Sequence, residues 1–386
     1  MQIKSSMSKC AVLVLLILCL ITKGHCQSKV FDLDDYGAVK GGEVDNSKAL
    51  LKAWNDACKW KDGSKLVVSS GTYLVGSVLL TGPCNGPIEF QNKGTLKAPL
   101  GLSGDYWIEF RYIDGLAVSG GGSFIGAGPP KQGSPYLPTL LRFSFVTNSK
   151  AQNIKLSNSQ STHFNLFACN NTKLNQITVS SPEDSPNTDG IKIGESNGIK
   201  ISDSTIASGD DCVAILRGSK NISVTGVKCG PGHGISIGSM GGSSDERVER
   251  IFVKNCHLLG TTNGLRIKTK ATNNPGLVTK VRYENVFMTN VDNPIIFDQN
   301  YCPWKDCEKG DSKVRIRDVK FKNIHGTSRT NVAVNFHCSG SNPCDKIELR
   351  DIKIRFQSNA EKTISNCSNA SGKAYGVQLP KSCLSS

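Results

Sequence analysis

Three aspartates fall within 23 positions: Asp189 ends Asn187-Thr188-Asp189, and Asp210 and Asp211 stand side by side before Cys212. Each group sits next to a glycine, Gly190 or Gly209. Farther along come Gly232-His233-Gly234 and Arg266-Ile267-Lys268. Carboxylates this close repel and raise one pKa, so clustering them does not serve stability. It does serve proton transfer. A carboxyl held protonated beside ionised neighbours can donate to a leaving oxygen while the others take a proton from water, which is the chemistry of glycoside hydrolysis. Arg266 and Lys268 beside such acids would bind an anionic sugar, and a uronic acid polymer fits.

The elements that must position these groups repeat. Asp189-Gly-Ile-Lys-Ile-Gly, Asp211-Cys-Val-Ala-Ile-Leu and His233-Gly-Ile-Ser-Ile-Gly follow one another at 22 and 22 residues, and segments at Asn263 and Asn293 continue at 30 and 30. A second series of Val/Ile runs starts at Gly198, Asn221, Arg250 and Lys280. Two strand series with a period in the twenties and no helices between them predict an all-β solenoid, a right-handed parallel β-helix. A β-sandwich would instead want hairpin turns and strict polar alternation. Residues 46–58, with apolar positions at helical spacing behind an Asn/Ser cap, predict a short N-terminal capping helix.

Equivalent positions of stacked coils lie roughly 4.8 Å apart. Asp189, Asp211 and His233 should therefore form a column, followed by Asn263. Ile191, Val213, Ile235 and Leu265 form an inward ladder, and Lys192, Ala214, Ser236 and Arg266 point outward, as does Lys268 by the period of two. Strict alternation would bury the acids with the ladder. A bend at Gly190, Cys212, Gly234 and Gly264 would turn them outward.

Of the 386 residues, 46 are Lys or Arg and 32 Asp or Glu, a net charge of +14. The basic residues are scattered and aromatics are few, which argues against a nucleic-acid module. Residues 11–21 are continuously apolar behind Lys4 and Lys9, too short to span a bilayer, and read as part of a signal peptide over 1–26 with Gly24 and Cys26 at the cleavage site. Residues 27–386 then form one secreted domain, with no membrane attachment, expected to be a monomer. Cleavage leaves twelve of the fifteen cysteines. An even number in a secreted chain implies disulfides, and short spacings suggest Cys302–Cys307, Cys338–Cys344 and Cys367–Cys383. Cys169 and Cys256 lie among strand-like residues and read equally as free core thiols. Asn170, Asn221, Asn366 and Asn369 begin glycosylation sequons. No His/Cys cluster has metal-ligand spacing, and no metal or cofactor is implied.

Asn187-Thr-Asp, Asp210-Asp211, Gly232-His-Gly and Arg266-Ile-Lys, in that order, with Asp298-Gln-Asn-Tyr-Cys downstream, resemble the four signature segments and the tyrosine of the polygalacturonases, glycoside hydrolase family 28. Longer stretches such as residues 137–149, 182–194 and 229–241 look most like plant pollen-type exopolygalacturonases. The resemblance covers essentially the whole mature chain. It implies an inverting hydrolase of galacturonate polymers in the plant cell wall. By motif, Asp210 is the acid, Asp189 and Asp211 hold the attacking water, and His233 tunes the acid. Arg266 and Lys268 grip substrate carboxylates, Asn187 and Tyr301 contact subsites, and His163 is a further subsite candidate. It also pairs Cys212 with Cys229 and Cys58 with Cys84. Two stretches depart from the pattern. Leu216-Arg217-Gly218 replaces the small residues usual after the acid, and residues 120–130 lack the usual Asp and Trp. The endo-acting enzymes share all four motifs, and a catalytically silent pectin-binding β-helix would be expected to have lost an aspartate.

Overall fold

The computed structural model describes residues 28–128, 137–303, 307, 310–358 and 362–385. The expected signal peptide lies outside these residues. Every strand pairing is parallel, and the strands form two sheets, one of 19 strands and one of 11. The 11-stranded sheet takes one strand from each successive coil, so its order is the order of the chain. This is a parallel β-helix. Its site-bearing strands are β1 (Phe164–Phe167), β2 (Ile191–Gly194), β3 (Val213–Ile215), β4 (Ile235–Met240), β5 (Asn263–Thr269) and β6 (Asn293–Asp298).

The register follows the sequence period. Ile191 pairs with Val213, Val213 with Ile235, Ile235 with Leu265 and Leu265 with Ile295. All five side chains are buried and build the aliphatic core that holds coil on coil. The second series stacks likewise, Ile201 on Val224, Val224 on Val253 and Val253 on Tyr283. Most of the extra length in the coil after His233 lies between Ile237 and Glu249, in the end of β4, the turn after it and the start of the neighbouring strand Glu246–Lys254.

The single α-helix among the described residues, α1, spans Ser47–Lys59 and buries Leu50, Ala53, Trp54 and Ala57 against the first coil. Asn46 precedes it but does not cap it. Its side chain instead ties Val39 and the carbonyls of Val44 and Leu74, and Asp45 accepts the Ser47 amide at 3.0 Å. Among the described residues there are five disulfides: Cys58–Cys84, Cys212–Cys229, Cys302–Cys307, Cys338–Cys344 and Cys367–Cys383. Cys169 and Cys256 are free and buried. The sequon residues Asn170, Asn221, Asn366 and Asn369 are all exposed.

At one exposed turn, asparagines stack. Asn255, Asn285 and Asn323 occupy successive coils with φ of 54°, 52° and 53°. Their side-chain amides chain together at 3.1 and 2.9 Å. Asparagine tolerates this left-handed backbone because its short amide bonds locally.

Candidate active site

Asp189 and Asp211 precede β2 and β3, each separated from its strand by one residue, Gly190 and Cys212. A Cβ on Gly190 would come 2.6 Å from the Cys212 carbonyl oxygen, and Gly234 has φ +83° with the Asn263 carbonyl in the way of any side chain. Only a bare backbone lets the coils approach this closely. The turn carrying Asp189 is braced from both sides. The Thr188 hydroxyl donates to Ser185 O at 2.8 Å and accepts the Gly209 amide at 3.0 Å, stapling it to the turn of Asp210 and Asp211.

His163 braces the same turn from within. Its backbone amide and its Nδ1 both meet the Asp189 carbonyl oxygen, at 2.8 and 3.1 Å. Burial pushes the imidazole down to about 4, so the neutral ring donates from Nδ1. This corrects the expectation of a subsite contact. His163 is 0 % exposed and offers a sugar no surface.

Asp211 is 1 % exposed, and its oxygens are fully engaged. Oδ1 accepts from Ser236 Oγ at 2.7 Å and Arg266 at 2.6 Å, and Oδ2 accepts from Lys268 Nζ at 2.9 Å. All three donors come from the outward faces of β4 and β5. The expected grip of Arg266 and Lys268 on substrate is, in the free protein, a grip on Asp211, and both cations are themselves more than nine-tenths buried. A buried carboxylate needs such partners to remain an anion.

The third member of the expected column departs from it. His233 keeps its backbone register, donating its amide to Asp210 O at 2.7 Å, but its Nδ1 meets Asp210 Oδ1 at 3.0 Å and not Asp211. The same Oδ1 accepts the Asp211 amide at 2.8 Å. Among the described residues Oδ2 of Asp210 has no hydrogen-bond partner, and the side chain is 21 % exposed. Asn263 turns away and accepts from Asn293 at 3.3 Å.

These groups open on one cleft of about 450 Å³, which Asn187, Asp189, Asp210, Asp211, Lys268 and Tyr301 all line. The Tyr301 ring lies 5.0 Å from Lys268 Nζ and 5.9 Å from the Arg266 guanidinium carbon. Leu216 and Arg217 line it too, and Arg217 is tied across by Glu195 at 3.2 Å, Ser243 Oγ at 3.2 Å and Glu246 at 3.6 Å. Four charged residues in this wall carried no role in the sequence reading. Lys192, which ion-pairs with Asp189, stands three residues after it, and Lys270 continues the 266, 268 alternation. Glu195 and Glu246 had no periodic mark.

The family model described as "Glycosyl hydrolases family 28" matches residues 58–378. The chain belongs to that family. A polygalacturonase of Gossypium hirsutum is 41 % identical over 383 residues, covering 95 % of this chain and 94 % of its own. An exopolygalacturonase of Zea mays is 40 % identical over 370 residues, covering 92 % and 90 %. In fold, the crystal structure of a hyperthermoactive exopolygalacturonase from Thermotoga maritima superposes with a TM-score of 0.70 at 19 % identity, covering 84 % of this chain and 88 % of that one.

In this family 28 member the carboxyls of the free site do not titrate alike. Burial pushes Asp189 up to about 6. The Lys192 charge pulls against that, and the charges of Asp211 and Asp210 add to it. Burial also pushes Asp210 up, but the hydrogen bond and charge of His233, with Lys268 and the Asp211 amide, outweigh it and hold Asp210 below the ordinary carboxylate value. The contact with His233 favours the Asp210 anion.

Proposed function

We propose that the protein is a secreted polygalacturonase that cuts α-1,4-linked galacturonate in the plant cell wall, releasing galacturonate from the non-reducing end. In this reading residues 1–26 are removed, and one β-helix domain acts as a monomer without nucleic-acid or membrane partners. One observation carries the chemistry: three carboxyl groups from adjacent coils meet in one cleft, one engaged by two cations and two with their proton affinities pushed apart. Such a split is what acid/base hydrolysis needs.

Asp210 acts as the acid. With Oδ1 taken by His233 and the Asp211 amide, its proton sits on Oδ2 and passes to the glycosidic oxygen as the bond to the anomeric carbon breaks. Water attacks that carbon from the other face and gives its proton to the Asp189 and Asp211 side of the cleft, a separation of roughly 6.5–9.5 Å in inverting enzymes. An entering uronate adds negative charge beside Asp210 and raises its hold on the proton, so substrate itself readies the acid.

The exo mode rests on the whole-chain likeness to exopolygalacturonases and on the bulk of Leu216 and Arg217 in the cleft wall. Viscosity of polygalacturonate is to be followed against reducing ends. An exo enzyme releases monomer while viscosity falls slowly. A sharp early drop with a ladder of oligomers rejects exo and leaves an endo enzyme. No new reducing ends at all rejects the hydrolase.

A further inference from the structure

The outward residues of successive coils form a row across the sheet. Lys192 of β2 pairs with Ala214 of β3, Ala214 with Ser236 of β4, and Ser236 with Arg266 of β5. The two middle members are small and buried. Cations therefore stand at both ends of a short neutral stretch, and the coil that carries Asp210 and Asp211 lies between them. At one end Arg266 and Lys268 hold Asp211 and keep donors to spare. Arg266 spends Nε on Ser236 and Nη2 on Asp211, and Lys268 spends one ammonium hydrogen on Asp211. At the other end Lys192 lines the cleft, 28 % exposed in its side chain, and ion-pairs with Asp189. An ammonium has three hydrogens to donate, so this contact leaves it donors for a second anion.

We infer that Lys192 binds the carboxylate of the sugar whose anomeric carbon is attacked, so that a uronate is read on both sides of the bond that breaks. The inference rests on the polygalacturonase reading, in which Arg266 and Lys268 serve the sugar on the other side. Two observations carry it. The first is placement. In an inverting cut the base works on the water at the anomeric carbon, and that carbon belongs to the sugar being released. A donor bonded to Asp189 faces that sugar. The backbones of Lys192 and Arg266 are three coil spacings apart, each roughly 4.8 Å, more than one sugar ring spans. The second is charge. The carboxylate of that sugar enters beside Asp189, Asp210 and Asp211, and like charges at such range repel. Among the described residues that line the cleft from coils before Asp210, Lys192 is the one cation. Between Asp189 and the entering carboxylate it answers both. A methyl-esterified or neutral sugar at the end of the chain leaves its remaining donors unmet.

The test isolates that one carboxylate. An aryl thiogalacturonide, which resists cleavage, carries its only carboxylate on the sugar side of the bond. Calorimetry with it and with its methyl ester is run on the wild type and on Lys192→Met, Lys192→Gln and Lys192→Arg, with thermal melts to show which variants are folded. Loss of a hydrogen bond to a charged group weakens binding about tenfold to a hundredfold. That loss is expected for the acid with Lys192→Met and Lys192→Gln, with the ester unchanged and Lys192→Arg recovering most of the affinity. The preference for acid over ester should vanish with the charge. In kinetics on oligogalacturonate, taken at the optimum of each variant's own pH profile because losing the Lys192 charge also moves Asp189, KM should rise by a similar factor. The acid bound as tightly by a folded Met or Gln variant overturns the inference. So does an equal loss for acid and ester, which would mean that Lys192 acts only through Asp189. A wild type that cuts polygalacturonate but binds acid no better than ester overturns the inference and leaves the functional reading standing. A wild type that prefers the acid through Lys192 but cuts no polygalacturonate does the reverse.

Discussion

Two columns of polar side chains run up this solenoid, and they are built by opposite rules. At Asn255, Asn285 and Asn323 each amide donates to the one below, all are at the surface, and no charge is present. At Asp189 and Asp211 the stacked groups are carboxylates, 4 % and 1 % exposed, which cannot bond to each other and must draw donors from elsewhere. The first column is self-sufficient. The second depends on Lys192, Ser236, Arg266 and Lys268, and leaves one carboxyl with its pKa raised to about 6. The same stacking geometry thus serves as a ladder when its members complement one another and as a reactive site when they do not. Self-repulsion within a stack is the mark of function here.

The sharpest way to break the comparison is to neutralise one column and then the other. Asp210→Asn, Asp189→Asn and Asp211→Asn should each lower turnover of polygalacturonate by about 10²–10⁴-fold or more. An aryl galacturonide with a good leaving group needs no acid. On that substrate Asp210→Asn should recover while the other two stay slow. Near wild-type turnover by Asp210→Asn on the polymer, or equal rescue of all three, removes the acid from Asp210.

A second variant pair tests the dependence of Asp211 on its cations. Arg266→Met or Lys268→Met leaves a buried carboxylate underpaired, with a cost of about 3–5 kcal/mol in stability. Because Asp211 is what they hold, kcat should fall more than KM rises. Denaturant melts and steady-state kinetics check both, and a rise in KM alone with stability intact would mean that they serve the substrate directly.

The third test is the pH profile. The productive form has Asp210 protonated and Asp189 ionised, one of the two arrangements of a pair that holds a single proton, so activity follows the singly protonated pair. The kcat/KM bell should fall on the acid side as Asp210 gains its proton, below the usual carboxylate range, and on the alkaline side near pH 6 as Asp189 loses its own. His233→Gln removes the hydrogen bond and charge that hold Asp210 down and leaves burial to push it up. The acid limb should therefore move to higher pH and the bell should narrow. An acid limb that stays in place contradicts the His233 assignment.

The smallest effect belongs to the other column. Asn285→Gly breaks both of its ladder bonds and keeps the backbone conformation, and should cost about 1–2 kcal/mol with no change in kcat/KM. Any loss of activity beyond that expected from unfolding would mean that the two columns are coupled.

The parts of this site legible in the sequence are those that the coil period fixes. The spacing of Asp189, Asp211 and His233 gave their register, and the alternation after Gly264 gave the outward faces of Arg266 and Lys268. What a side chain meets across coils is not periodic. His163 and His233 show it. One lies under the Asp189 turn with its ring buried, and the other leaves its column for Asp210, because hydrogen-bond partners and not register decide where a ring settles. Glu246 was hidden for a related reason: it arrives from the irregular stretch after β4, where no repeat marks a position. Lys270 was open to view, one further step along an alternation already in hand.

Helix α1 sets a boundary as well as covering a core. Among the described residues the first strand of the 11-stranded sheet, Val78–Thr81, pairs on one side only, with Tyr106–Arg111. On the α1 side, Trp54 Nε1 donates to the Thr81 carbonyl at 3.0 Å, and Cys58 bonds covalently to Cys84 just beyond that strand. A stack of parallel coils has no intrinsic length, and a bare strand edge is a template on which another chain can polymerise. With an indole holding that acceptor and a disulfide pinning the helix in place, the solenoid has a fixed beginning. Coil cannot be added upon coil at that edge, as happens when strands grow into fibres.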